Sequence, residues 1–259
     1  MDTLRVRPHD VVASAQHSDT TDFLHVEKDM DDFFHGGLGL GRATLPQRIA
    51  AECFGTFCLV FAGTGAIIVN DVSGGTVTHV GIALTFGLVV LAMIHTVGDI
   101  SGAHLNPAVT LGFLAAGRFA RSDAAAYVAS QCAGGFAASL VLRLLFPAHL
   151  TLGTTQPAGS AVQSFILECI LTAILMVVIL SVSSGARERG ITAGIAIAAV
   201  IMLEALFAGP ICGASMNPVR SLAPAVVSAT FSSLWVYLTA PLIGAMAGVG
   251  ICRAIRGET

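Results

Sequence analysis

Charged residues are scarce in this chain. Asp, Glu, Lys and Arg make up 11% of its 259 residues, whereas about a quarter of the residues in a soluble globular domain are charged. Hydrophobic residues make up 54%, and the mean hydropathy is +0.80. The composition therefore excludes an ordinary soluble domain and indicates a protein that lies in a lipid bilayer. The formal net charge of −3 offers no basic surface, so we expect no nucleic-acid partner.

Motifs for metal binding and catalysis are also lacking. The cysteines form no CxxC pair, so the sequence predicts neither a zinc site nor a disulfide framework. The apolar stretches contain no HExxH motif and no Ser/His or paired Asp arrangement. We therefore expect no enzyme activity, no metal and no cofactor. We interpret the cysteines as thiols that pack as small hydrophobic side chains. They are Cys53, Cys58, Cys132, Cys169, Cys212 and Cys252.

Six apolar stretches are each close to the roughly 20 residues that a helix needs to cross a bilayer. Backbone polar groups in lipid must be satisfied within the chain, so these stretches are predicted to be helices. They are roughly residues 49–69, 80–97, 124–142, 161–182, 191–208 and 234–251. The sequence therefore predicts an all-α membrane protein.

Two shorter apolar segments begin with the pairs Asn106-Pro107 and Asn217-Pro218, 111 residues apart. Asn is a strong N-cap and Pro fits the first helical position, so each pair predicts the start of a helix. Each segment stays apolar for about a dozen residues, which is half of what a hydrocarbon core of ~30 Å requires. Such half-helices in two equivalent halves are typical of a solute pathway near the middle of the membrane.

The two halves align on these Asn-Pro pairs. Glu52-Cys53 in the first span and Glu168-Cys169 in the fourth then occupy matching places. Three spans in each half give the halves opposite orientations, so the chain is predicted to be an inverted repeat. A carboxylate inside a span is costly unless it is hydrogen-bonded. We expect Glu52 and Glu168 to accept backbone N–H groups from the loops before the half-helices, and we prefer this role to proton relay.

The N-terminal residues 1–44 differ from the rest of the chain. They carry many charges and no apolar period, which predicts a disordered tail without the features of a signal peptide. The membrane domain is predicted at residues 45–256, with halves at 45–146 and 160–256. Most of the basic residues fall on one side of the six spans. The positive-inside rule then predicts a multi-pass protein of the cell (plasma or inner) membrane with both termini in the cytoplasm.

The Asn-Pro boxes, the paired glutamates and Arg220, three residues after Asn217, resemble the aquaporin (major intrinsic protein) family over about residues 45–255. Within that family, the segment FAGPICGASMNP at residues 207–218 is similar to the plant nodulin-like (NIP-type) subfamily and its bacterial, aquaglyceroporin-like relatives. One departure is Asn-Pro-Val in the second box, where the family has Asn-Pro-Ala. We expect Val219 to adjust packing or pore width without removing function.

The resemblance implies a passive channel that assembles as a homotetramer in the bilayer. A central constriction is expected at Asn106 and Asn217, where side-chain amides offer N–H donors and helix dipoles place partial positive charge. The resemblance also implies a selectivity filter and residues that support the pore. The filter residues are Phe86, Ala205, Ala214 and Arg220, and the supporting residues are Glu52, Glu168, His104, Pro107, Pro218 and Val219.

Two of the filter positions carry small side chains. Water-selective relatives have a bulky His at the position of Ala205, so Ala205 and Ala214 predict room for more than water. The expected solutes are water, glycerol-like polyols and neutral metalloid hydroxides such as arsenite or boric acid, with ions and protons excluded. A water-selective channel is one alternative. An ion-coupled secondary transporter is another, with Glu204 and Asp99 as spare acids. Glu204 is also a candidate to accept hydrogen bonds from loop backbone or from a solute.

Overall fold

The computed structural model describes residues 43–183 and 187–257, with the backbone alone for residues 187–191. In these ranges the chain forms eight α-helices and no β-strand. The helices are α1 (Leu45–Val72), α2 (Thr78–Ser101), α3 (Pro107–Ala115), α4 (Arg121–Leu145), α5 (Ala161–Val182), α6 (Arg187–Cys212), α7 (Pro218–Ser228) and α8 (Leu234–Arg256). All but α3 and α7 contain a stretch long and apolar enough to cross a membrane. The predicted fold of six spans and two half-helices is confirmed. The predicted tail disorder falls on residues 1–42, outside this description.

Both half-helices begin at their Asn-Pro pair. Asn106 has extended backbone, with φ −158°, and its Oδ1 accepts the backbone N–H of Ala108 at 2.8 Å. Asn217 has φ −146°, and its Oδ1 accepts the N–H groups of Val219 at 3.0 Å and Arg220 at 3.3 Å. Each following proline occupies the first helical turn, where its missing N–H is not needed. The helices are short, with 9 residues in α3 and 11 in α7.

The loops that lead into the half-helices repeat the same backbone conformation. Gly102 and Gly213 both have a positive φ, of 85° and 84°. The next residues, Ala103 and Ala214, have φ of 46° and 41°. Left-handed backbone is costly for a residue with a Cβ, so it persists only where the surroundings enforce it. The same strained path at the same offset in both halves is the signature of the inverted repeat.

Close contacts between spans also repeat. In α4, a Cβ added to Gly134 would collide with the carbonyl oxygen of Cys53 in α1. In α8, a Cβ added to Gly244 would collide with the carbonyl oxygen of Cys169 in α5. Small residues allow such close approach of helix backbones in membranes. The pairs α1/α4 and α5/α8 are therefore equivalent parts of the two halves.

The helix α6 contains Pro210, which lacks the N–H that would otherwise bond the carbonyl of Leu206. His79 at the start of α2 takes over this bond, because its Nε2 lies 2.8 Å from Leu206 O. The imidazole also packs on Gly209, where an added Cβ would lie 3.0 Å from His79 Cε1. These contacts connect the N-terminal end of α2 to α6.

The outer surface of the helices is apolar. Leu88, Ile166, Leu203 and Trp235 are each more than half exposed, whereas Thr56, Gln131 and Ser164 are buried inside the bundle. This arrangement, with apolar side chains outside and polar side chains inside, suits a bundle surrounded by lipid.

Candidate solute pathway

A cavity of about 380 Å³ lies between the two halves. It is lined by side chains from α1, α2, α3, α5, α6 and α7 and from both loops before the half-helices. The predicted central and filter residues all line it, and so do His95 and Asp99 near the end of α2. The predicted members are Phe86, Asn106, Ala205, Ala214, Asn217 and Arg220. Residues far apart in the sequence therefore meet around one space.

The two half-helices hold each other at their N-termini. Asn106 Nδ2 donates to the carbonyl of Met216 at 2.8 Å, and Asn217 Nδ2 donates to the carbonyl of Leu105 at 2.9 Å. Each amide nitrogen carries two hydrogens, so one hydrogen of each remains to face the cavity. The half-helix dipoles add partial positive charge at the same place. The site can therefore bind the oxygen of a passing neutral molecule and repel a cation.

Glu52 organises the loop before α3. Its Oε1 accepts from Ser101 Oγ at 2.7 Å and from the N–H of His104 at 2.8 Å. Its Oε2 accepts from the N–H of Leu105 at 2.7 Å and from Gln131 Nε2 at 2.8 Å. This buried carboxylate thus holds backbone donors that the left-handed turns would leave without partners.

Glu168 does the corresponding work for the loop before α7. Its Oε1 accepts the N–H of Ser215 at 2.7 Å, and its Oε2 accepts the N–H of Met216 at 2.8 Å. The side chain is fully buried. Both paired glutamates therefore make backbone hydrogen bonds of the kind expected from the sequence.

Arg220 is the buried cation of the cavity wall. It is 2% exposed, and its Nη1 donates to the carbonyl of Gly153 at 2.8 Å. Its guanidinium carbon lies 4.9 Å from the centre of the Phe86 ring, which is a cation–π contact. The guanidinium is thus held between a loop carbonyl and an aromatic face. Ala205 and Ala214, each 8% exposed, complete this part of the wall with little bulk.

The supporting residues lie close to the half-helices. His104 Nδ1 lies 3.1 Å from Thr110 Oγ1, and the imidazole stacks on Phe113 with 4.7 Å between ring centres. Val219 is 1% exposed and fills the space over Gly135 in α4. Val219 is not among the residues that line the cavity. Val219 was expected to adjust either packing or pore width. Its contact with Gly135 is a packing contact.

Glu204 lies apart from the cavity. Its side chain is 1% exposed, and it is not among the cavity-lining residues. Neither carboxylate oxygen accepts a hydrogen bond from the described residues. The expected hydrogen bonds from loop backbone are therefore not made. The neighbouring residue, Ala205, points to the cavity in its place.

Sequence reasoning missed the loop between α4 and α5. Gly153 supplies the carbonyl that holds Arg220, and Thr155 Oγ1 donates to Ser221 Oγ at 2.7 Å. Ser221 Oγ lies 2.6 Å from Ser215 Oγ beside the central asparagine. The loop has no apolar period, and Gly153 is one of 28 glycines in the chain. The strongest available signal was Arg220 itself, because a buried guanidinium needs an acceptor that another segment of the chain must supply.

Comparisons with known proteins agree on the family. The family model described as "Major intrinsic protein" matches residues 40–251. Aquaporin NIP1-3 of Oryza sativa subsp. japonica is 49% identical over 213 residues, which cover 81% of this chain and 74% of that protein. Nodulin-26 of Glycine max is 43% identical over 211 residues, which cover 81% of this chain and 78% of that protein.

A solved structure, the X-ray structure of the aquaglyceroporin from Plasmodium falciparum, has the same fold. The TM-score is 0.74 and the identity 24%, with coverage of 83% of this chain and 100% of that one.

The fold is that of a multi-pass membrane channel with a pathway between two half-helices. The chain belongs to the major intrinsic protein (aquaporin) family, whose members are channels and not enzymes. Its nodulin-like relatives named here are plant proteins. They give no support to the bacterial part of the predicted resemblance.

Proposed function

We propose that the protein is a passive channel for water and small uncharged hydroxylic solutes, with the two asparagines as central constriction and the four filter residues as selector. The observation that carries the proposal is the position of Arg220. A guanidinium buried among membrane helices is costly unless it lines a wet cavity. Arg220 lines the same cavity as Ala205 and Ala214, so a fixed cation stands in a part of the wall that has little bulk.

The physical mechanism follows from these groups. A hydroxylic solute exchanges hydrogen bonds with bulk water for hydrogen bonds to the Arg220 guanidinium and to the amides of Asn106 and Asn217. A cation meets the guanidinium and the positive ends of two helices, and none of the central or filter residues is an anion that would repay its dehydration. Water molecules oriented in opposite senses on the two sides of the centre would break a proton wire, as the family resemblance implies. No step needs a cofactor.

The proposed solute range includes glycerol-like polyols and the neutral hydroxides of arsenite and boric acid. Such molecules present several hydroxyl groups on a small frame. The alanine side of the filter gives their carbon or metalloid centre an apolar wall, while Arg220 offers donors to their oxygens. A water-selective channel is the second candidate, and the small side chains of Ala205 and Ala214 favour the wider pore over it.

The proposal is tested with proteoliposomes and stopped-flow light scattering under water, glycerol and arsenite gradients. Ala205→His adds a bulky group to the filter, so glycerol and arsenite permeability should fall by about tenfold or more, a barrier change of about 1.4 kcal/mol, while water permeability falls less. Ala205→Ser is the matched control, because it changes polarity with little change in volume. Exclusion of glycerol and arsenite by the unaltered protein would establish the water-selective alternative.

The transporter alternative has weak support from the described residues. Among these residues, Asp99 is the acidic side chain that lines the cavity, whereas Glu204 is not a cavity-lining residue. An ion-coupled transporter needs a site that coordinates the ion. Glycerol uptake that does not respond to a pH or sodium gradient supports the channel, and coupled accumulation supports the transporter.

We also propose that the protein forms a homotetramer in the plasma or inner membrane, with both termini in the cytoplasm. The large apolar exterior supports burial against lipid and further copies. On the side where α8 ends, carbonyls at helix ends accept hydrogen bonds from Arg118, Arg253 and Arg256. The positive-inside rule assigns the side that is rich in basic residues to the cytoplasm. Cross-linking in membranes tests the tetramer, and protease protection of a C-terminal tag tests the orientation.

A further inference from the structure

The loop between α4 and α5 fixes the place of the Arg220 guanidinium. The carbonyl of Gly153 in this loop accepts from Arg220 Nη1 at 2.8 Å. Gly153 has φ 71°, and a Cβ added there would lie 3.0 Å from Cβ and from the carbonyl oxygen of Thr64. The loop backbone therefore rests directly on α1. Where this loop lies determines where the guanidinium is held.

Leu152, the residue before Gly153, anchors the loop. Its side chain is fully buried and belongs to a small cluster with Ile68 and Leu142. Its backbone is left-handed, with φ 52°. Its N–H donates to His149 Nδ1 at 3.0 Å. A ring nitrogen accepts a hydrogen bond only when it carries no proton, so this loop conformation requires His149 to be neutral, with its hydrogen on Nε2.

The other contacts of His149 fit that tautomer. Its Nε2 lies 3.2 Å from Asp71 Oδ2 at the end of α1. Arg143 of α4 donates from Nη1 to the backbone carbonyl of His149 at 2.7 Å. Among the described residues, Asp71 is the charged group in contact with the imidazole ring, and Arg143 is the charged group that binds the backbone of His149. Arg220 binds the same loop further on, at Gly153.

Protonation of His149 is incompatible with the Leu152 bond. A hydrogen on Nδ1 would face the N–H of Leu152, and a buried donor would lose its acceptor. The compensating gain is an ion pair with Asp71. The His149 side chain is 9% exposed but the Asp71 side chain is 53% exposed, so water reaches the pair from the Asp71 side and weakens it. Proton binding therefore favours a loop conformation in which Leu152 has left His149. Histidine is the side chain that ordinarily changes charge between about pH 5 and 8.

We propose that His149 is a positioning residue for Arg220, and that acid frees Arg220 by breaking the hydrogen bond between Leu152 and His149. The inference rests on the proposed function, since it names what controls the same filter. Because Gly153 follows Leu152 directly, a shift of Leu152 moves the carbonyl that holds Arg220. A guanidinium that is no longer fixed leaves a wider filter, so a large solute gains permeability relative to water.

The test measures glycerol and water permeability of proteoliposomes with equal pH on both sides, at about pH 7.5 and about pH 5.5. In the unaltered protein the glycerol-to-water ratio should rise about two- to tenfold in acid, the range that one net hydrogen bond supplies. His149→Asn keeps an oxygen near the position of Nδ1 and does not titrate, so its ratio should not respond to pH. His149→Leu keeps the bulk but has no acceptor, so its ratio should be high at both pH values.

A second histidine serves as control. His79 lies on the same side of the bundle but bonds Leu206 in α6, so His79→Asn should keep the acid response. An unchanged ratio in the unaltered protein, an equal acid response in His149→Asn, or a parallel fall of both permeabilities would each overturn the proposal.

Hydrogen exchange separates this inference from the proposed function. In the detergent-solubilised full chain, a peptide that contains the Leu152 amide should exchange faster in acid than a reference peptide from α4, after correction for intrinsic rates. The His149→Asn variant should show no such difference. If liposomes conduct neither water nor glycerol at either pH, the proposed function fails. Hydrogen exchange alone then shows whether acid breaks the hydrogen bond between Leu152 and His149. Equal protection at both pH values overturns the switch whatever the fluxes are.

Discussion

The two halves of the molecule hold their half-helix loops in different ways. Glu52 accepts two backbone N–H groups together with the Ser101 hydroxyl and the Gln131 amide. Glu168 accepts the equivalent backbone groups, but Cys212, which stands where the first half has Ser101, donates its thiol to the carbonyl of Ala208 at 3.5 Å. The first half is therefore the more tightly bonded scaffold. The second half carries Arg220 and depends on a separate loop to hold it.

A second difference concerns two equivalent tyrosines, each seven residues before one of the close-packed glycines Gly134 and Gly244. The Tyr127 hydroxyl donates to the carbonyl of Ser101 at 2.9 Å. The Tyr237 hydroxyl is buried and has no hydrogen-bond partner within the described ranges. An inverted repeat thus preserves backbone geometry while its polar contacts diverge.

The largest expected effect is on the paired glutamates. Each buried donor that loses its acceptor costs about 1–3 kcal/mol. Glu52→Ala removes the acceptor of four donors, and Glu168→Ala removes the acceptor of two backbone N–H groups. Both variants should lower the thermal unfolding temperature in detergent, and Glu52→Ala should lower it more. Equal losses would show that the extra side-chain donors of the first half contribute nothing.

The next effect concerns the cation of the second half. Arg220→Ala should raise glycerol and urea permeability by about ten- to hundredfold, equal to a barrier change of about 1.4–2.7 kcal/mol, and should weaken cation exclusion. Stopped-flow scattering and a proton-leak assay in the same liposomes measure both. A folded variant whose solute and proton permeabilities match those of the unaltered protein would remove Arg220 from the filter.

Much of this architecture could be predicted from the sequence, because the strongest signals were local. Asn-Pro pairs cap helices through their own residue types, and long apolar stretches must be helices in lipid. Helix ends were less predictable. The first span was expected at residues 49–69, but the helix is Leu45–Val72. The polar residues at its two ends lower the local hydropathy, so an apolar stretch marks only the middle of the helix.

Contacts that depend on long-range placement could not be predicted. The carbonyl of Gly153 meets Arg220 across 67 positions of the chain, and no pattern in the intervening residues indicates it. The surroundings of Glu204 could not be predicted for a related reason. A carboxylate next to a filter position is expected to face polar groups, but one residue along a helix turns the side chain by about 100° and away from the cavity.

A smaller effect is expected where the two Asn-Pro boxes differ. Val219→Ala recreates the residue of the first box, Ala108, but removes the contact with Gly135. Loss of two buried methyl groups should lower the free energy of unfolding by about 1.5 kcal/mol. The glycerol-to-water permeability ratio should not change, because Val219 does not line the cavity. A changed ratio at unchanged stability would mean that this residue sets pore width.

The smallest expected effect is at Glu204, the acid of the second half that accepts no hydrogen bond from the described residues. A buried polar group without a partner costs free energy, so Glu204→Met, which is similar in length and apolar, should stabilise the protein by about 1 kcal/mol. For a chain of this size that corresponds to a rise of about 2–4 °C in unfolding temperature. Glu204→Gln is the matched control, because it removes the ionisable carboxyl but keeps a polar group in the same place, and it should gain less. Water and glycerol permeability should stay at the level of the unaltered protein in both variants, since the side chain lies off the cavity. A loss of glycerol permeability with intact folding would instead establish Glu204 as a solute contact, and the second half would then select its solutes with a carboxyl group as well as a cation.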